Sequence, residues 1–332
     1  MSKPHVAIIG TGGTIASLGT GPLDLQDYGA NETMMHADEL VARFPAVHDV
    51  AEILPVRFEA IPSPNVFFRE WKALVLRIEA LVHAHPTLAG IVVTHGTATL
   101  EETAYFLNLT LHVDLPVVLV GSQRPASALS TDAGMNLFNA VRTAAAPASR
   151  GLGVLVVLND EIHAAREVTK TSTYRLHTFR TPDFGVLGHT DGDAIAYYRR
   201  PIRRRAPDTE FDIRTLEALP RVDIAYAYAG SDGTAVRAFI AAGAQGIVSA
   251  GFAPGFCGPG DLEPLAEAVR QGILVVQSTR AGSGRTFQNT RLARHGVLIA
   301  DNLNPQKARL LLALGLTLTR EPAEITRMFT EY

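Results

Sequence analysis

Two threonine-rich turns and one lysine hold the residue types that could attack a carbonyl carbon. The first turn, Ile9-Gly10-Thr11-Gly12-Gly13-Thr14-Ile15-Ala16, follows the apolar run Val6-Ala7-Ile8-Ile9. Glycines at the carboxyl end of a strand let a hydroxyl be presented and let backbone N–H groups converge, which suits Thr14 as a nucleophile beside an oxyanion hole. A dinucleotide cradle is the competing use of such glycines, and it fails here. The third glycine of G-x-G-x-x-G would fall at Ile15, and no clear acidic residue ends a second strand about 20 positions on. The second turn, Val93-Thr94-His95-Gly96-Thr97-Ala98-Thr99-Leu100-Glu101-Glu102-Thr103-Ala104, also follows a buried run and brings Thr97 to the same kind of sheet edge, where open α/β sheets bind ligands. Thr99 and Glu102 have capping-box spacing, which is compatible with chemistry at Thr97. In a third segment, Leu158 to Thr171, Lys170 stands between two threonines. It is either a solvated lysine or, with a lowered pKa, a base for a nearby hydroxyl.

The elements that must position these turns are legible as apolar β-branched runs without polar alternation: Val6 to Ile9, Gly90 to Val93, Pro116 to Val120 and Leu152 to Leu158. Such runs fit strands buried on both faces. Segments of helical spacing lie between them, at Glu70 to Ala84, Leu100 to Leu109 and Gly134 to Ala146, so the fold class is α/β with a mainly parallel sheet covered by helices. A new α/β series begins at Val222 and continues through Gly246 to Ala250 and Gly272 to Val276. Its last helix is expected to start near Asn304-Pro305. The expected organisation is a catalytic domain over 1–190, a linker over 191–220 and a smaller α/β domain over 221–332. The basic run Arg199 to Arg205 inside the linker is read as solvated.

Composition narrows the partners. The chain has 332 residues, 47% hydrophobic and 19% charged, with 30 basic against 33 acidic side chains. That is a globular composition with no electrostatic footprint for nucleic acid or an anionic membrane, so a small-molecule substrate is expected. The single cysteine, Cys257, excludes an intramolecular disulfide and a cysteine-clustered zinc site, and it is read as packing rather than reacting. No metal-ligand spacing appears among the scattered histidines, including His83 and His85, and no cofactor is expected. His95 is expected to make structural hydrogen bonds. With no apolar span long enough for a membrane and no secretory h-region at the start, the expected location is cytoplasmic.

In order along the chain, Thr11 to Ala16, His95 to Leu107, Gly121-Ser122-Gln123-Arg124-Pro125, Arg166 to Lys170, Ile247 to Gly251 and Leu303 to Arg309 resemble the bacterial L-asparaginase and glutaminase family over nearly the whole chain. The resemblance implies a homotetramer built from paired dimers, with active sites formed between subunits. It makes Thr14 the nucleophile of an acyl-enzyme. Tyr28, on a mobile flap from about Ser17 to Thr33, is its activator, and Thr97 with Lys170 is the second hydroxyl and base. Ser63 holds the substrate carboxylate.

The same resemblance marks departures. Where asparaginases hold the α-ammonium of asparagine with an aspartate, this chain has Ala98. Pro64 stands for the glutamine after Ser63, Arg291 in Gln288-Asn289-Thr290-Arg291 for a glutamate from the neighbouring subunit, and Pro254 for an asparagine. A buried ammonium without partners costs several kcal/mol. The leading expectation is therefore a threonine-dependent amidohydrolase acting on a carboxamide, imide or lactam without a free α-ammonium, with Glu32 on the flap as the acid that could overturn it. Lys170, without its acidic neighbour, is expected to deprotonate more easily. The alternatives are an L-asparaginase of altered specificity, a lactonase or esterase, and a non-catalytic sensor that kept the fold.

Overall fold

The structure, a computed structural model, describes residues 2–29 and 34–332. The chain divides into two compact units, residues 1–210 and 211–332. In the first, β1 (His5–Gly10) leads to α1 (Ala37–Arg43), α2 (Val47–Val50) and β2 (Glu52–Arg57). Then follow α3 (Phe68–Ala84), β3 (Leu88–Thr94), α4 (Leu100–Thr110), β4 (Val117–Val120), α5 (Ala133–Ala145) and β5 (Val154–Leu158). Beyond β5 come β6 (Glu161–Ala164), a ribbon of β7 (Thr169–Lys170) with β8 (Phe179–Arg180), and then β9 (Gly188–Thr190) and β10 (Ile195–Tyr197).

Eight of these strands form one sheet in the order β10-β9-β6-β5-β4-β3-β1-β2. The five from β2 to β5 run parallel, and β6, β9 and β10 extend the sheet antiparallel. The apolar runs sit in the middle because only there are both faces covered: β1 from Val6 onward and all of β4 and β5 are buried. Pro55, which cannot donate to a ladder, falls in the edge strand β2. Register places Gly10 beside Thr94 and Thr94 beside Val120, so the turns after β1, β3 and β4 leave the sheet at one level of its carboxyl edge.

The segment 191–220 contributes β10 as an edge strand, and its last ten residues belong to the second unit. The basic run is matched internally: Arg199 pairs with Glu167, Arg204 with Glu210, and Arg205 donates to the Gly151 carbonyl.

The second unit holds a parallel sheet of β11 (Val222–Tyr226), β12 (Gly246–Gly251), β13 (Leu274–Thr279) and β14 (Leu298–Ile299) in that order. Its helices are α6 (Thr234–Ala241), α7 (Leu262–Arg270), α8 (Thr290–Arg294), α9 (Pro305–Gly315) and α10 (Pro322–Glu331). The Asn304 side chain accepts the Lys307 N–H and Pro305 fills the first position of α9, as the sequence signals. That helix is not the last, however. α10 follows it and buries only Ile325, Met328 and Phe329, too narrow a stripe to stand out beside its charged residues.

Candidate active site

The turn after β1 is shaped by close backbone approach. Gly13 has φ 86°, and a Cβ there would stand 2.3 Å from the Gly96 nitrogen; a Cβ on Gly96 would stand 2.6 Å from Ser63 Oγ. Only glycine lets these three segments meet. Thr11 ties the turn to β3, with its N–H and its hydroxyl both donating to the Thr94 carbonyl, at 3.2 and 2.7 Å. Thr14 then opens a single 3-10 turn, Thr14–Ala16, that buries Ile15 and Ala16 while Thr14 stays half-buried.

Thr14 Oγ1 lies 3.0 Å from the Tyr28 hydroxyl. Tyr28 sits on a segment folded around Asp24, which accepts the Thr20 and Asp27 N–H groups at 3.0 Å each; the Thr20 amide first, then that of Asp27, holds its carboxyl below the usual carboxylate range. The segment is fastened outside itself as well, by Gly19 N–H donating to Ser127 Oγ and Leu129 N–H to the Pro22 carbonyl. The end of the expected flap, including Glu32, lies outside the described residues.

Across the same cavity, Lys170 Nζ donates to Thr97 Oγ1 at 2.8 Å. Thr97 is buried, and Lys170 is half-buried at the end of β7. Burial pushes the Lys170 pKa down, and the Glu101 carboxylate pulls the other way. The expected direction is therefore present, but its cause is desolvation, and an acid does stand near: Glu101, itself buried, accepts the Lys170 backbone N–H. Nothing in the spacing of Glu101 along the chain points to this contact, which joins residues 69 positions apart.

The expected capping box at α4 does not form. Thr99 instead donates from its hydroxyl to the Ser63 carbonyl at 2.7 Å, binding the helix start to the turn Ser63–Asn65, of which Ser63 is buried. Thr14, Tyr28, Ser63, Thr97 and Lys170 all line one cavity of about 680 Å³, and Pro64 and Ala98 line it too. Met34, Ala60 and Pro62 add apolar wall that sequence reading missed, because nothing local distinguishes them. Among the described lining residues, Lys170 is the one charged side chain. Arg291 is exposed on α8 of the second unit, and Pro254 lies in the loop after β12. Cys257 is buried, which raises its thiol pKa and suits packing.

His95 is fully buried and its pKa is pushed down to about 4 by that burial, so the ring is neutral. No cluster of histidine, cysteine or carboxylate side chains able to hold a metal occurs among the described residues.

Comparison with known proteins places the chain in a family. The family described as “Asparaginase, N-terminal” matches residues 5–203, and “Glutaminase/Asparaginase C-terminal domain” matches residues 221–329. The chain is 42% identical to an L-asparaginase 2 of Bacillus subtilis over 99% of this chain and 87% of that protein. It is 38% identical to a glutaminase-asparaginase of Pseudomonas fluorescens over 99% and 90%. A crystal structure of a probable cytoplasmic L-asparaginase from Campylobacter jejuni superposes with a TM-score of 0.94 at 37% identity, covering 99% of this chain and all of that one. With a two-domain α/β fold and full-length likeness of this kind, the chain belongs to the asparaginase/glutaminase family of amidohydrolases, hydrolases of carbon–nitrogen bonds.

Proposed function

We propose that the chain hydrolyses a small carboxamide, imide or lactam that carries a carboxylate but no free α-ammonium, through an acyl-enzyme on Thr14. The reading rests above all on the cavity wall. Lys170 is its one charged side chain among the described residues, and the wall includes Ala98 and Pro64, the positions for which the family resemblance implies a carboxylate and an amide that hold an ammonium. A substrate cation beside Lys170 would meet repulsion, with no carboxylate among the described lining residues to offset it. A carboxylate, by contrast, gains from the lysine.

In this reading, Tyr28 takes the Thr14 proton and passes its own hydroxyl proton on towards the leaving nitrogen as Oγ1 adds to the acyl carbon, and glycine-turn N–H groups stabilise the oxyanion. The nitrogen leaves with that proton. Thr97, relayed to Lys170, then activates water to release the acid. Ser63 holds the substrate carboxylate. Arg291, reaching a neighbouring subunit's cavity within a homotetramer, is the cation that replaces a glutamate there. A cytoplasmic location belongs to the same reading. It is supported by the Campylobacter relative's description, although a Haemophilus influenzae relative is called periplasmic.

A second reading, hydrolysis of L-asparagine itself, is favoured by the relatives' names. Ammonia release from succinamic acid, which is asparagine without its amine, set against L-asparagine separates the two. Preference for succinamic acid, with the acyl group trapped on Thr14 by mass spectrometry and absent in Thr14→Ala, is the expected result. Family-typical turnover of L-asparagine with none of succinamic acid would overturn the reading.

A further inference from the structure

Behind the cavity, four groups from three elements form one hydrogen-bonded line. Trp71 Nε1, on α3, donates to Thr103 Oγ1, on α4, at 2.8 Å. Thr103 Oγ1 lies 3.0 Å from His95 Nε2, and His95 Nδ1 lies 2.8 Å from the Gly96 carbonyl. The direction of every proton follows from the two ends. An indole N–H can only donate and a carbonyl can only accept. Nδ1 must therefore carry the proton of the neutral ring. Nε2 is left as acceptor for the one O–H of Thr103, whose lone pair takes the indole. Trp71, Thr103 and His95 are all buried, and Trp71 is further fixed by stacking on Phe106, with centroids 4.7 Å apart.

The end of the line is the peptide that joins Gly96 to Thr97. Because the C=O and N–H of a trans peptide point opposite ways, a carbonyl turned to the His95 ring turns the Thr97 N–H away from it. Gly96 and Thr97 both line the cavity, and Gly96 is packed against Gly13 and Ser63.

We propose that His95 is a positioning residue: held as the Nδ1–H tautomer by Thr103 and Trp71, it sets the Gly96–Thr97 peptide and so the alignment of Thr97 with the Thr14 turn. This rests on the reading of that cavity as the reacting site. Neutrality of the ring is part of the device, since a second proton on Nε2 would displace the Thr103 hydrogen bond.

The test uses Thr103→Val, which keeps shape and removes the hydroxyl, with Thr103→Ser as rescue, in the full-length enzyme. With whichever of succinamic acid and L-asparagine the unmodified enzyme hydrolyses, Thr103→Val should lower kcat by about ten- to a hundredfold with KM nearly unchanged, the scale expected of a small misplacement of reacting groups. Thr103→Ser should restore it. Far-UV circular dichroism and the urea midpoint of each variant check that the fold is kept. Independently of activity, 15N spectra of labelled histidines, with the His95 signal assigned by its loss in His95→Asn, should show a neutral Nδ1–H ring for His95 at pH 5.5 that loses its single tautomer in Thr103→Val. Should neither amide be turned over, the proposed function fails, and the tautomer measurement still decides this proposal. Unchanged kcat and an unchanged ring in Thr103→Val, an Nε2–H ring in the unmodified protein, or equal losses in the valine and serine variants would each overturn it.

Discussion

Lys170 Nζ and Thr97 Oγ1 are 2.8 Å apart although 73 residues separate them, and Glu101, in the first turn of α4, accepts the lysine's backbone N–H. The short ribbon that carries Lys170 is thereby held to the start of α4. A half-buried amine placed against a hydroxyl in this way is poised to lose its proton more readily than a solvated lysine.

Lys170→Met should reduce kcat by roughly 10²- to 10⁴-fold, the range for loss of a general base. In the unmodified enzyme, burial lowers the pKa of this group from 10.5, so the base form accumulates at a lower pH than for a free lysine. Activity should rise with pH through a limb placed below that value and absent in the variant; a limb at or above it would contradict the assignment.

Tyr28→Phe removes the hydroxyl 3.0 Å from Thr14 Oγ1 and leaves the ring. A fall in kcat of about 10²-fold or more, with Tm unchanged because the ring is only half-buried, is the expected outcome of steady-state and thermal measurements.

Introducing a carboxylate by Ala98→Asp tests the missing-acid argument directly. The new charge in the cavity should favour L-asparagine over succinamic acid by about tenfold or more. It should also move the rising limb of the pH profile upward, because an anion near Lys170 favours the protonated amine. If the ratio of the two substrates stays put, Ala98 does not set specificity.

His95 gives a stability prediction with a definite sign. Its folded pKa, about 4, lies below the 6.5 of an unfolded chain, so between these values the unfolded state binds the extra proton. Stability should be complete above pH 6.5 and fall by up to about 3 kcal/mol as the pH drops towards 4. Urea titrations at fixed protein concentration would show this slope, and His95→Asn should flatten it.

Gly13→Ala should destabilise by about 3 kcal/mol, combining a positive φ with a Cβ placed 2.3 Å from the Gly96 nitrogen. A urea midpoint unchanged from the parent would refute the close-packing account of this turn.

Periodicity and composition reveal the parallel core of this protein because β1, β3, β4 and β5 are buried on both faces and must be apolar throughout. They also expose Thr14 and Thr97, since each directly follows such a run and strand ends are fixed by register. What stayed hidden depends on contacts between distant segments. The three-residue strands β9 and β10, the second a half-exposed edge, and the narrow stripe of α10 bury too little to leave a pattern. The Thr99 hydroxyl has capping spacing in sequence, yet it turns to the Ser63 carbonyl because packing brings that acceptor closer. The family resemblance implies the pairing of Tyr28 with Thr14 and of Lys170 with Thr97, but spacing along the chain does not; only the tertiary structure gives their distances and the apolar wall around both, because hydrogen-bond partners are chosen by distance in space.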